Sequence, residues 1–277
     1  KAAPPAHMVE DSFKHHYDPS MKKSPFKEKA YTISGTLLPP DAVKIISARM
    51  PTSQILKLAK DKGTTITAYL SALMIVSIYK GLVPKRAMSK TIGVNVPVDL
   101  RGHFTSETAR NFFSVVEVGY NFQSGPADFD TVLASVTNQL RQKTTPEMLA
   151  LRMNYNMAVQ RNIFTGITPL FLKNLVLRAA YHQSETGTTC ALSNMGRITM
   201  PEPFAGYIHS FHCLLNPTPI HRLKATVTSF REQFIINFTS CIEETKAQRL
   251  FLTYLAYHGV DITITCNGEE AETVETL

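Results

Sequence analysis

The chain has few of the residues that would define a small stapled or metal-held scaffold. Its four cysteines, Cys190, Cys213, Cys241 and Cys266, stand 23, 28 and 25 residues apart, with no CxxC pair and no histidine at ligand spacing. That spacing argues against a disulfide framework or a structural zinc and for buried free thiols in a reducing, cytoplasmic setting. No apolar run approaches the ~20 residues that cross a bilayer. The longest, residues 66–79, carries Thr67, Ser71 and Ser77 and reads as a buried core helix. No GxSxG, GxxxxGK[ST], HExxH or GxGxxG is present, which sets aside serine-hydrolase, P-loop, zincin and simple dinucleotide-binding chemistry. One sequon, Asn237-Phe238-Thr239, has no secretory signal ahead of it and reads as unmodified.

What is present is globular. Hydrophobic residues make up 44% and charged residues 18% of 277, enough for one large domain or two lobes around a sizeable core. The net charge of +7 is uneven. Five acids and no Lys or Arg follow from Asp261 onward, whereas residues 139–182 hold Arg141, Lys143, Arg152, Arg161, Lys173 and Arg178 against Glu147 alone. This basic segment reads first as a solvated face, then as a site for a phosphate-bearing small molecule. No aromatic-interleaved motif or dense Lys/Arg block points to nucleic acid.

The pattern along the chain predicts α/β architecture, a mixed sheet with helices in a two-layer sandwich rather than a regular parallel series. Residues 1–29, rich in Pro, Lys and His without periodicity, read as a linker or an arm lying on a surface; residues 30–277 form the folded lobe. Strands are expected over 31–38, 43–50, 91–98, 113–122, 188–194, 205–215, 223–230, 233–238 and 262–266. Helices are expected from Pro51 to Gly63, from the Thr65 cap to Tyr79, and over 128–143, 146–160, 168–181 and 242–258.

Chemistry-bearing residues gather in two stretches. In TIGVNVPVDLRGHFTSETARNFFSVVEV (91–118), Arg101 directly follows a buried-looking strand, and a guanidinium there demands a carboxylate partner. Asp99, two residues earlier, can supply it locally, and Asn111 opens the next strand. In ALSNMGRI (191–198) a strand ends in Ser193-Asn194, whose hydroxyl and amide can donate to a developing oxyanion, and Gly196 allows close backbone approach. The plain alternative is a turn made of good turn formers. His7 to Asp11 spells HxxxD, but no apolar strand and helix flank it to hold a base rigidly. His15-His16-Tyr17-Asp18 has the wrong spacing for that motif and reads as two exposed imidazoles on the arm.

In order, the helix pair PTSQILKLAKDKGTTITAYLSALMIVSIYK, the strand end VPVDLR, the strand start RNFFS, the turn LSNMGRI and the closing FLTYLAYHGVDITI resemble the C-terminal half of the CoA-dependent acyltransferases. That superfamily includes chloramphenicol acetyltransferase, alcohol O-acetyltransferases and peptide-synthetase condensation domains. The alcohol O-acetyltransferase branch is the most similar, through RNFFS and SNMG; the plant branch needs a Trp in its DFGWG element, and this chain has none. The resemblance implies a chloramphenicol acetyltransferase-like lobe, one of two flanking a tunnel. It implies an HHxxxD histidine on an N-terminal lobe that takes a proton from an alcohol or amine acceptor. The acceptor then attacks the thioester of acyl-CoA or of an acyl carrier protein, acyl-CoA being a co-substrate and no cofactor being tightly held. The motif aspartate pairs with an arginine matched by Arg101, and Ser193 and Asn194 match the tunnel-facing turn. HHxxxD in that setting is absent, so the expectation is a chain carrying the C-terminal lobe only. Such a lobe is inactive alone and leaves an apolar interface able to pair two copies. The alternative is a catalytically empty, condensation-like binding module.

Overall fold

A computed structural model describes residues 5–20, 29–161 and 185–267, with Asn174 and Arg178 as helical residues between them. Apart from those two, the helix expected over 168–181 lies outside the described residues, as does the acidic tail beyond 267. Seven strands form one mixed sheet in the order β3-β2-β4-β5-β6-β1-β7. They are β1 Lys44–Pro51, β2 Ile92–Asp99, β3 Phe113–Tyr120, β4 Cys190–Arg197, β5 Leu223–Phe230, β6 Gln233–Ser240 and β7 Thr263–Cys266. β4 is parallel to β2 and β5, and every other pairing is antiparallel.

The described helices are α1 Ala6–Val9, α2 Ser12–His15, α3 Thr52–Asp61, α4 Ile66–Leu82, α5 Phe129–Lys143, α6 Pro146–Arg161, α7 Glu202–Ala205 and α8 Lys246–Tyr257. The core lies between one face of the sheet and α4, α5 and α8. Period-2 alternation sends Ile46, Ala48, Met50, Val94, Val96, Ala225, Val227, Ile236 and Phe238 to that face. α4 is apolar on every side and buried without interruption from Ala68 to Ile78, the expected fate of a helix with no polar face. Thr65 caps it by accepting from the Ala68 amide at 3.1 Å, as the sequence suggests. Among the described residues no helix is long and apolar enough to cross a membrane.

Three expected elements come out differently. Residues 31–38 form no strand of the sheet: Leu37 makes an isolated bridge to Ile242 and the Tyr31 amide donates to Thr91 O at 2.8 Å, with Tyr31 and Ile33 buried in the core. Residues 205–215, expected as a strand, instead run from α7 into an extended strap across the outer face of the sheet. Thr228, Thr226 and Thr239 hydroxyls donate to the carbonyls of Phe211, Cys213 and Leu215. The alternation that resembles a strand therefore reflects alternate carbonyls turned to a face rather than to a neighbour's edge. The final helix starts at Lys246, four residues later than expected, because Cys241 O accepts from Leu38 N and Glu243 N donates to Thr36 O around the Leu37–Ile242 bridge.

The β3 edge is closed without a strand. The Gln139 amide donates to Gly119 O at 2.7 Å and accepts from Gly119 N at 3.1 Å. Lys143 donates to Glu117 O and Arg152 to Val115 O, both at 2.8 Å. Residues 115, 117 and 119 are the alternate positions that an adjoining strand would engage. Two of the six basic residues in segment 139–182 are thus turned inward onto backbone, not out to solvent. Burial, then the neighbouring Arg152, holds the Lys143 ammonium pKa below its ordinary value, and Glu117 opposes the shift. Gln139→Leu should cost about 1–3 kcal/mol in urea unfolding, because both edge groups of Gly119 lose their partner. An unchanged midpoint would mean that water serves that edge equally well.

Candidate functional site

Strand direction brings the sequence candidates to one end of the sheet. β2, β4 and β5 run parallel, so Asp99–Arg101, the 193–197 turn and the β5–β6 hairpin at Arg231 all emerge there. β1 runs the same way and delivers the start of α3, and the first turn of α4 is bonded to the end of β4.

Asp99 and Arg101 do pair, Nη1 to Oδ1 at 2.9 Å, and Asp99 also accepts the Arg101 amide at 3.1 Å. The pair is not buried. Burial falls away along β2, and the side chains of Arg101 and Asp99 are 36% and 61% exposed. The desolvation penalty inferred from a buried strand end therefore does not arise. The guanidinium is held chiefly by its own loop: Nε and Nη2 both donate to Thr108 O at 3.1 Å, and Nη2 also reaches Arg110 O. Of the five N–H groups a guanidinium offers, one on Nη1 remains. Asn111 is exposed just before Phe113, the residue that pairs with Asp99.

Ser193 and Asn194 do not converge. Adjacent strand residues face opposite sides of a sheet. Asn194 points to the helix side, where its amide donates to Thr67 Oγ1 at 3.0 Å and its Oδ1 accepts the Gly196 amide at 2.9 Å. Ser193 lies on the outer face beside Thr226, nearly buried, with only a 3.8 Å contact to Met195 Sδ. Gly196 has φ +70 at a register shift between β4 and β5, a conformation open to glycine without strain. The turn thus combines a buried hydroxyl on one face with an amide anchored on the other. Thr67 was not singled out from sequence; its place at the second residue after the helix cap carries no signal until β4 is laid beside it. Asn95 was also passed over. It stands on the outer face of β2 opposite Ala191, and its Oδ1 is buried without a partner.

The histidines of the arm are engaged differently from the HxxxD reading. His7 faces Glu107 at 3.6 Å, and Asp11 faces Lys14 at 3.4 Å. His16 bonds Thr105 O through Nε2 at 2.9 Å, and its ring lies against Phe104 and Phe112. His221 is the buried imidazole, held by Glu185 at 2.8 Å. All four cysteines are free thiols; Cys190 is buried, and Cys266 on β7 is exposed, contrary to the expectation that all would be inside.

A mixed seven-stranded sheet with this order and helices on one face is the fold of condensation and acetyltransferase domains, the chloramphenicol acetyltransferase-like class. TRI3 trichothecene 15-O-acetyltransferase from Fusarium sporotrichioides superposes with a TM-score of 0.53 at 14% identity, over 81% of this chain and 48% of that one. The epimerization domain from the third module of tyrocidine synthetase B gives 0.51 at 9% identity, over 91% and 55%. The nonribosomal peptide synthetase FmoA3 gives 0.52 at 11%, over 82% and 24%. The chain thus spans about half or less of the length of each. No curated protein sequence matches it. A family model for alcohol acetyltransferases matches residues 16–204, more than half of the chain. The chain belongs to the alcohol acetyltransferase family.

Two outcomes are expected at this site. Asn194→Ala and Thr67→Val should each destabilise, and a double-mutant cycle in urea should give a coupling of about 0.5–1.5 kcal/mol; strict additivity would show that the bond contributes nothing. Burial pushes the Cys190 thiol pKa upward. Thiol titration of the native protein should therefore label Cys266 and spare Cys190 until denaturant is added.

Proposed function

We propose that this chain is the C-terminal lobe of a two-lobed acyltransferase that moves an acyl group from a thioester, acyl-CoA or an acyl carrier protein, to a small alcohol or amine. The general-base histidine stands on the other lobe. The observation that carries the reading is the alcohol acetyltransferase match over residues 16–204, together with an arginine fixed at the open end of the sheet. Arg101 keeps one free N–H and a partly exposed side chain, as a group that docks a carboxylate across an interface requires. His16, close to this loop, donates Nε2–H to Thr105 O, and it does not open an HxxxD, because Ser20 stands where the aspartate would be. Phe113, Met195, Phe204 and Tyr207 are exposed at the same end, Tyr207 at 92%, and form the apolar surface that the second lobe covers. Without that lobe, two copies can pair there.

Arg101 also favours a second reading. Most of its hydrogen-bonding capacity is satisfied inside its own loop, as in a catalytically empty, condensation-like module where the residue is purely structural. Assay of the two-lobed protein with acyl-CoA and a panel of alcohols and amines, followed by thiol release, separates the two. Turnover that Arg101→Ala reduces at least about 10²-fold supports the enzyme, and this chain alone should be lower by about 10²–10⁴-fold for want of the base. No thiol release with any acceptor supports the empty module.

A further inference from the structure

The segment ahead of the sheet is not a passive tether. Residues 8–16 lie on the loop that presents Arg101. The Ala109 amide donates to Met8 O at 2.8 Å. Ser12 and Ser106 hydroxyls meet at 2.7 Å, and Phe13 packs edge-on against Phe112 with ring centres 5.0 Å apart. At the middle of this contact is Thr108, 4% exposed. Its hydroxyl donates to Glu10 O at 2.6 Å and accepts the Arg110 amide at 3.2 Å. Its carbonyl takes both Nε and Nη2 of Arg101 at 3.1 Å.

A hydroxyl has one hydrogen to donate and lone pairs to accept. Here the hydrogen goes to the arm and a lone pair to the loop, so both roles are filled. The peptide unit of Thr108 is thereby fixed from one side by residue 10 and from the other by the guanidinium. If the peptide rotates, the two Arg101 bonds to its carbonyl are lost together, and Arg110, whose amide leans on the same hydroxyl and whose carbonyl receives Nη2, shifts with it.

We propose that Thr108 is a positioning residue: it couples the docked segment 8–16 to the Arg101 guanidinium, so that this arm sets the direction in which Arg101 faces the second lobe. Its bearing on the reaction rests on the role given to Arg101 above; the coupling itself rests on the bonds just described.

The test compares Thr108→Val, which keeps the shape and loses the hydroxyl, with Thr108→Ser, which keeps the hydroxyl. In the full chain, amide hydrogen exchange at Ala109 and Arg110 should accelerate about tenfold or more in the Val variant. Amides of the β5–β6 hairpin should be unchanged, which establishes that the variant is folded, and the Ser variant should exchange like the parent. Phe13→Ala, which loosens the arm without touching Thr108, should accelerate the same two amides. In the two-lobed protein, Thr108→Val should lower kcat about tenfold with little change in KM, and Thr108→Ser should restore it. Parent-like exchange at Ala109 and Arg110 in Thr108→Val overturns the coupling whatever the rate does. Faster exchange with an unaltered rate upholds the coupling and overturns its bearing on the reaction, the role of Arg101 itself being decided by Arg101→Ala.

Discussion

Every backbone N–H and C=O that the fold takes from water must find a partner, and in this protein side chains repeatedly supply it where strands run out. Gln139, Lys143 and Arg152 stand in for an eighth strand along β3. Three threonine hydroxyls and Asn237 hold the strap on the outer face. Asn267 fixes the start of β1 through Ile45 N at 2.6 Å and Val43 O at 2.7 Å. Arg101 does the same for the carbonyls of residues 108 and 110. Among the described residues the β3 margin of the seven-stranded sheet is finished in this way. The β3 edge, so covered, offers no template for another chain to extend.

Placing cations on backbone rather than on carboxylates has an electrostatic consequence. Lys143 and Arg152 share Glu117, which lies 3.7 Å from Arg152 Nη2, and both direct their main hydrogen bonds to carbonyls. A positive charge next to several carbonyl dipoles is partly compensated without being neutralised. Two of the six cations of segment 139–182 thereby become structural, so the charge surplus visible in composition overstates by that much the cationic surface available to an anionic partner. Arg101 differs only in degree: its loop carbonyls orient the guanidinium, while partial exposure leaves it open to a carboxylate approaching from outside.

Periodic features were legible in the sequence. The all-apolar helix α4 with its Thr65 cap, the β5–β6 hairpin, and the alternating β2 and β3 follow from local pattern and emerge within two or three residues. The strap was not, because Phe211, Cys213 and Leu215 alternate as a strand does, and only the threonines of strands distant in sequence reveal that their carbonyls meet a face. The Arg101 pairing was half legible. Asp99 is close along the chain, whereas Thr108 O and Arg110 O become acceptors only after the loop closes on itself. The inward turn of Lys143 and Arg152 was invisible to charge counting, since a helix surface shows which residues are charged but not which backbone edge lies beneath them. The site turn was misjudged for a geometric reason: adjacency in sequence placed Ser193 beside Asn194, while the pleat sends them to opposite faces.

That opposition constrains how the end of the sheet can contribute to chemistry. In the proposed two-lobed reading, a reacting group between the lobes would meet the outer face and the strand ends, not the face covered by α4, so Asn194 would act on it only through the turn it holds. Ser193, on the outer face with no strong partner, and Asn95, diagonal to it on the neighbouring parallel strand with an unpartnered buried oxygen, are the polar groups of this region not already committed to the fold. An unpaired buried acceptor costs about 1–3 kcal/mol, and Asn95 Oδ1 is one of several such atoms among the described residues, with Thr52 Oγ1, Ser114 Oγ and Gln233 Oε1 among the others. The cost is offset if a hydrogen-bond donor outside the described residues completes Asn95. On the outer face between β2 and β4 the Asn95 oxygen is thus left without a partner among the described residues, and Arg101, fixed at the end of β2, stands at the margin of that face.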